Sequence, residues 1–210
     1  MEDDYANWGV KLLTTLYLIR HAQSARSKNL IESQWPLSKK GQLQSLAMIK
    51  PLSALKPTKI VSSPYVRAYS TVEPFSKFVN ISIEIDPMIR ERKFSNALIH
   101  NFLEVMEKAW LDFDFSLPGC ESGNSAQSRA LEFIYKICQT HPKETIFLSS
   151  HGNLIGLILN ALDPSFGFHQ WQKMKNPDVY KLRYADNNLH WDKDFVWQEP
   201  AIDQRVFHDF

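Results

Sequence analysis

Cysteine is almost missing from these 210 residues, with only Cys120 and Cys138 present. Two thiols cannot build a disulfide framework or a cysteine-rich zinc site, and a reducing cytoplasmic compartment is the expectation. A surplus of charge of either sign is missing as well. The 24 basic and 23 acidic side chains leave a formal net charge of +1, which argues against nucleic acid or a membrane surface held by a broad field. No apolar run approaches the ~18–20 residues a membrane-spanning helix needs. The opening Met1-Glu2-Asp3-Asp4 is acidic where a secretory signal is basic, and Lys11 breaks the first apolar stretch, so no signal peptide is expected. Repeats, low-complexity tracts and linkers are absent too, and residues 1–210 read as one domain.

What is present is an ordinary globular balance, 44% hydrophobic and 22% charged, with 13 Phe, 7 Tyr and 6 Trp to fill a core. Aromatic side chains bury the most area per residue, so an ordered fold is expected. Thr14 to Ile19 is a β-branched and aromatic run that stops at Arg20-His21, the pattern of a strand buried on both faces. Ser38 can cap a helix over Lys39–Lys50 that Pro51 ends. Lys59–Ser62 reads as a second strand. Ser63-Pro64 then introduces a helix from about Tyr65 to Phe78, with Pro74 placed to kink or shorten it. Ile81–Ile85 alternates as a third strand. Helical spacing follows over Asn96–Trp110 and Ser125–Thr140, then a fourth buried strand over Thr145–Ser150 and an apolar helix over Asn153–Leu162. Asp178–Tyr184 looks like a late edge strand, and Trp191–Phe210 has no clear pattern. Alternating strands and helices predict a three-layer α/β/α sandwich around a mostly parallel sheet.

Parallel sheets bind ligands outside the carboxyl ends of their strands, where helix amino termini point inward. The polar punctuation of this chain falls there: Arg20-His21, Ser62 to Arg67, Arg90-Glu91-Arg92 and Ser150-His151-Gly152 follow the four expected strands. Each has a bland reading by itself. An Arg-His pair at a strand end is ordinary loop polarity, Arg67 a surface helix residue, Glu91 an exposed ion-pair partner worth ~0–1 kcal/mol, and His151 a satisfied core histidine. Their joint occurrence at successive strand ends outweighs those readings.

The segments Leu18 to Ser24, Leu37 to Gln42, Ser62 to Ala68 with Thr71, Arg90 to Arg92, Gly119 to Ser122 and Ser150 to Gly152 resemble, in order, the motifs of the histidine phosphatase superfamily, also called phosphoglycerate mutase-like. The resemblance implies attack on phosphorus by His21, phosphate binding by Arg20, Arg67, His151 and Ser27, and proton donation by Glu91. The chemistry asks for the same groups. A phosphomonoester dianion is best attacked by a neutral imidazole whose other nitrogen is held by an acceptor. Planar guanidinium forks match phosphate oxygens, and charge-assisted bonds are roughly twice as strong as neutral ones. By the same resemblance, His151 protonated beside a bound phosphate would complete the cationic clamp. Neighbouring arginines should pull the Glu91 pKa down, against its role as an acid, unless burial or bound phosphate offsets them. The chain departs from the family at Ala22 and Ser95, where glycine is usual, and at Ser27, where asparagine is frequent. Ala22 is tolerable only if its backbone needs no positive φ.

Between Arg92 and Gly119 the basic candidates are Arg92, Lys93, His100 and Lys108, among the apolar Phe94, Phe102, Met106, Trp110, Phe113 and Phe115. This lid-like insertion, about 94–118, is poor in the basic residues a mutase uses on a second anionic group. It favours hydrolysis of a small phosphorylated metabolite over a phosphoglycerate-type mutase, and both over a non-catalytic phospho-ligand module. No cofactor or metal is expected: arginines meet the phosphate charge, and His100, His141, His169, His190 and His208 are scattered. An exposed aromatic surface after Pro164 could serve a homodimer.

Overall fold

A computed structural model describes residues 13–95 and 101–202. Six strands form one sheet in the order β3-β2-β4-β1-β5-β6. They are β1 (Thr14–Arg20), β2 (Lys59–Ser62), β3 (Ile83–Ile85), β4 (Thr145–Ser150), β5 (Asp178–Ala185) and β6 (Asn188–Trp191). β1 and β2 run parallel to β4 on either side of it, and β3 continues parallel beyond β2. β5 is antiparallel to β1 and carries β6 outside it.

Alternation along the strands builds two cores. Leu16, Leu18, Val61, Ile146, Leu148 and Leu182 face one layer, and Tyr17, Ile19, Ile60, Phe147 and Val179 face the other. The first layer contains α5 (Gly123–Thr140) and α6 (Gly152–Leu162), with α4 (Phe102–Leu111) and α7 (Phe168–Lys173) beside them. The second contains α1 (Lys39–Ala47), α2 (Ile49–Ala54) and α3 (Val66–Val79). The three-layer sandwich predicted from strand–helix alternation is thus present. No helix among the described residues is long and apolar enough to cross a membrane.

Several boundaries move for local reasons. Ser38 caps α1 by accepting from Gly41 N at 3.0 Å, but Pro51 does not end the helical stretch. The break falls at Met48, and Pro51 sits in the first turn of α2, where a missing N–H removes no helical bond. α3 starts at Val66, one residue after the expected Tyr65, which caps it, and Ser63 Oγ accepts from Tyr65 N. It also runs through Pro74. The carbonyl Pro74 leaves without its helical partner is that of Ser70, and the single hydroxyl proton of Ser45 on α1 is shared between it at 3.0 Å and Thr71 O at 2.8 Å. β3 loses Ile81 because that residue closes the end of α3, its N–H reaching Ser76 O and its carbonyl accepting from Ser76 Oγ.

β5 is an interior strand, not the expected edge. A turn at Asp186-Asn187, both at positive φ, folds β6 back onto it; this Asx pair is the hairpin signal in an otherwise patternless tail. Phe195 and Trp197 then pack on the second core. Among the described residues the exposed aromatic surface expected after Pro164 is not found: Phe166 is buried, and Phe168, Trp171 and Trp191 pack against the first core. Of the predicted helix over Asn96–Trp110, residues 96–100 lie outside the described residues.

Candidate active site

The register aligns the carboxyl ends of three parallel strands, with Arg20 opposite Ser150 and Ser62 opposite Ser149. β1 delivers Arg20 and His21 there, and β4 delivers His151 as the residue that caps α6. The two imidazoles, 130 positions apart in sequence, meet edge to face with centroids 5.3 Å apart. Arg67, in the first turn of α3, closes the group: its Nε donates to His21 Nε2 at 3.1 Å.

That bond fixes the tautomer of His21. Its Nδ1 lies 2.7 Å from the carbonyl of Ala22, which can only accept, so Nδ1 carries the proton and Nε2 keeps its lone pair. Burial, then the charges of Arg67 and Arg20, lower the His21 pKa to about 3. The ring is neutral at physiological pH. Ala22 does not take a positive φ, so the methyl replacing the usual hydrogen is accommodated; Ala22 N donates to Thr71 Oγ1. Asn176 Nδ2 donates to the carbonyl of His21, and Gly41 lets α1 approach the same loop, since a Cβ there would fall 2.0 Å from the Gln23 carbonyl oxygen.

Arg20 lies against the start of α6, where a Cβ on Gly152 would come within 2.7–2.9 Å of its guanidinium, and its Nη1 donates to Met174 O. Glu91 occupies the amino end of the same helix. Its Oε1 accepts from Leu154 N and Arg92 N, both at 2.9 Å, and its Oε2 from Asn153 N at 3.1 Å. Its pKa is raised, because burial outweighs the opposing charge of Arg67 and those backbone bonds. The arginines flanking it in sequence do not set its charge state. Arg92 is buried and donates to the carbonyls of Glu121 and Phe115, and Arg90 pairs with Glu121.

The pKa of His151 is held well below 6.5 by burial, Arg67 and His21, so the ring is neutral in these surroundings; its Nε2 lies 2.7 Å from Ser63 Oγ. Ser27 is half-buried in the loop after β1, where its hydroxyl accepts from Asn29 N at 3.2 Å and no hydrogen bond among the described residues joins it to His21 or Arg67. Away from the site, His141 pairs with Glu144, and His100 and His208 lie outside the described residues.

A family model described as the histidine phosphatase superfamily (branch 1) matches residues 16–194. The chain belongs to this superfamily. Solved structures with the same fold include a mycobacterial glucosyl-3-phosphoglycerate phosphatase, 24% identical over 89% of this chain and 99% of that one, with a TM-score of 0.71. A phosphoglycerate mutase from Bacillus anthracis is 20% identical over 87% of this chain and 92% of that one, at 0.73. A phosphoserine phosphatase mutant from Entamoeba histolytica is 19% identical over 85% and 95%, at 0.67.

Within this member of the superfamily, several groups around the histidines have no counterpart in the sequence reading. Glu32, in a single 3-10 turn over Glu32–Gln34, takes both terminal nitrogens of Arg67, Nη1 through its carbonyl and Nη2 through its carboxylate, each at 2.7 Å. Arg129 on α5 ties down the segment bearing Glu91 by donating to Met88 O, to Glu91 O and to Glu121. Glu32 meets Arg67 35 positions away, and Arg129 reaches Met88 and Glu91 at 41 and 38 positions as well as Glu121 at 8, so no local pattern advertises the contacts with the site. Asn176 is legible at most as an Asn-Pro turn. In the 94–118 segment Met106 and Trp110 are core residues, Phe94 and Phe113 are partly buried against the same core, and Phe102 is 39% exposed.

Proposed function

We propose that the chain is a metal-independent phosphomonoesterase that hydrolyses a small phosphorylated metabolite through a phosphohistidine at His21. The observation that carries this reading is the locked tautomer of His21: an Nδ1–H held by Ala22 O, and an Nε2 lone pair that among the described residues meets only the Nε–H of Arg67. Arg20, Arg67 and Ser27 receive the phosphate oxygens, and a bound dianion counters the burial and cationic neighbours that keep His151 neutral, so His151 joins the clamp as a cation. As the Nε2–P bond forms and the P–O bond breaks, Glu91 gives its proton to the departing alkoxide. Water then attacks phosphorus, Glu91 takes a proton from it, and the Nε2–P bond breaks to release phosphate and restore His21. The raised pKa of Glu91 suits the first half of this cycle.

Hydrolysis of p-nitrophenyl phosphate in the presence of a chelator tests the reading. Turnover is expected to persist with chelator and to fall by at least ~10³-fold in His21→Ala, and rapid quenching should trap an acid-labile phosphoryl group on the parent protein alone. Turnover that needs added magnesium or zinc, or that survives in His21→Ala, rejects it. Phosphoryl exchange between phosphoglycerates faster than hydrolysis would make the chain a mutase. Arg92 speaks against that outcome, because it is 1% exposed and directs its Nε and Nη2 to Glu121 O and Phe115 O rather than outward to a second anionic group.

A further inference from the structure

We propose that Glu32 determines substrate specificity, admitting phosphomonoesters whose leaving group is neutral or carries an ammonium near the phosphate and rejecting those with a second anionic group there. The proposal rests on the phosphatase reading above and names its substrate class. A guanidinium has two forks. The Nε side of Arg67 faces His21, where a transferred phosphoryl group must sit, while the end carrying Nη1 and Nη2 is held by Glu32. Three of its five N–H groups are thereby used, and one remains on each terminal nitrogen. Arg67 can therefore bind phosphate without releasing Glu32, so the carboxylate stays beside the reacting group.

Glu32 also stands between Arg67 and solvent. The Arg67 side chain is 4% exposed and that of Glu32 41%, and Oε2 of Glu32 accepts no hydrogen bond among the described residues. A phosphate that reaches His21 lies on one side of the Arg67 guanidinium and this carboxylate on the other, so the rest of the ligand comes within the field of Glu32. Its position is built into the loop. The indole Nε1 of Trp35 donates to Ser27 O and Leu30 O, Trp35 N donates to Glu32 O, and the Trp35 and Tyr65 rings flank the Arg67 guanidinium at 5.8 and 4.9 Å. The field of Glu32 reaches Tyr65 and Glu91, both of whose pKa values it helps to raise.

Charge balance sets the consequence. Arg20 and Arg67 match a phosphate dianion. Arg26 adds to the field at His21 but lies exposed over Trp35 at 6.0 Å, while Arg90, Arg92 and Arg129 are engaged by Glu121 and backbone carbonyls. A carboxylate or second phosphate on the leaving group therefore meets Glu32 with no cation among the described residues positioned to neutralise it, whereas an ammonium there gains a partner.

The test uses two phosphonates that differ at one end, 2-aminoethylphosphonate and 3-phosphonopropionate, titrated calorimetrically into the full chain. Neither is turned over, so binding is read independently of hydrolysis. The parent should bind the ammonium compound at least ~10-fold more tightly, Glu32→Gln should bring the two affinities within ~3-fold, and Glu32→Lys should invert the order. An unchanged ratio in Glu32→Gln and Glu32→Lys, or a parent that favours the carboxylate, overturns the proposal. Glu32→Asp, which keeps the charge, should keep the preference and covers the case in which the other variants do not fold. Failure of the parent to hydrolyse p-nitrophenyl phosphate counts instead against the phosphatase reading, while the binding ratio still decides whether Glu32 discriminates by charge.

Discussion

At the scale of single residues, the site is a set of charge states chosen by burial. His21 is kept neutral, with a pKa near 3, so the acid limb of kcat/KM should not report this imidazole. It should instead follow the substrate's own second ionisation, near pH ~6. Glu91 moves the other way, because burial raises its pKa and keeps the acid form present where an ordinary carboxyl has ionised. The expected result is an alkaline fall in kcat for alkyl phosphates as pH passes through that raised value. In Glu91→Gln the fall should vanish and the remaining rate drop by ~10²–10⁴-fold, with a smaller loss on p-nitrophenyl phosphate, whose phenolate leaves without a proton. Rate profiles between about pH 4 and 9 on both substrates decide this. Equal losses on the two would remove Glu91 from proton donation.

At the scale of elements, the amino end of α6 does most of the assembly. His151 caps it, Glu91 takes the N–H groups of Asn153 and Leu154, and Arg20 lies against Gly152. A methyl at Gly152 would meet the far end of a flexible side chain, not backbone. The fold can absorb it, helped by the ~1 kcal/mol that alanine gains over glycine within a helix. Gly152→Ala should therefore leave the thermal midpoint within a few degrees while displacing the Arg20 guanidinium and raising KM ~10-fold or more, the loss of one charged phosphate contact. Melting curves and steady-state kinetics on the same preparation check it; an unchanged KM would mean that Arg20 does not hold phosphate. The same scale explains α3, whose interior proline is tolerated because Ser45 from α1 supplies a shared hydrogen bond in place of the one that its ring removes.

At the scale of the whole molecule, the buried imidazoles couple folding to pH. The folded protein keeps His21 and His151 unprotonated, while the unfolded chain protonates both below about 6.5. The unfolded state thus binds more protons, and stability is lost as pH falls from about 6.5 toward about 3, by ~1.4 kcal/mol per pH unit for each group at most. Glu91 works in the opposite sense just above the ordinary carboxyl range, because the folded state holds its proton longer. Urea midpoints measured from about pH 7 to 4 should decline steadily, and His21→Gln should flatten the slope; an equal slope in the variant would contradict the assigned protonation state.

Much of this molecule is legible in the chain alone. β2 and β4 start and stop where β-branched runs meet polar residues, and the alternation of strand and helix dictates parallel pairing and two covered faces. The motif histidines and arginines follow from their place at the carboxyl ends of those strands. What the chain does not disclose are the terms that depend on who stands beside whom. In sequence Arg92 looks available, yet it is spent on carbonyls, and Glu91 looks paired with its neighbours, yet it bonds to the start of α6. Glu32 carries no local signal and grips Arg67 across 35 positions. Hydrophobic period and turn chemistry are local properties of the polypeptide, so sequence alone determines the elements and their order. Desolvation and Coulomb terms depend on distance in space, so only the tertiary structure decides which of these groups carry charge and which face the pocket.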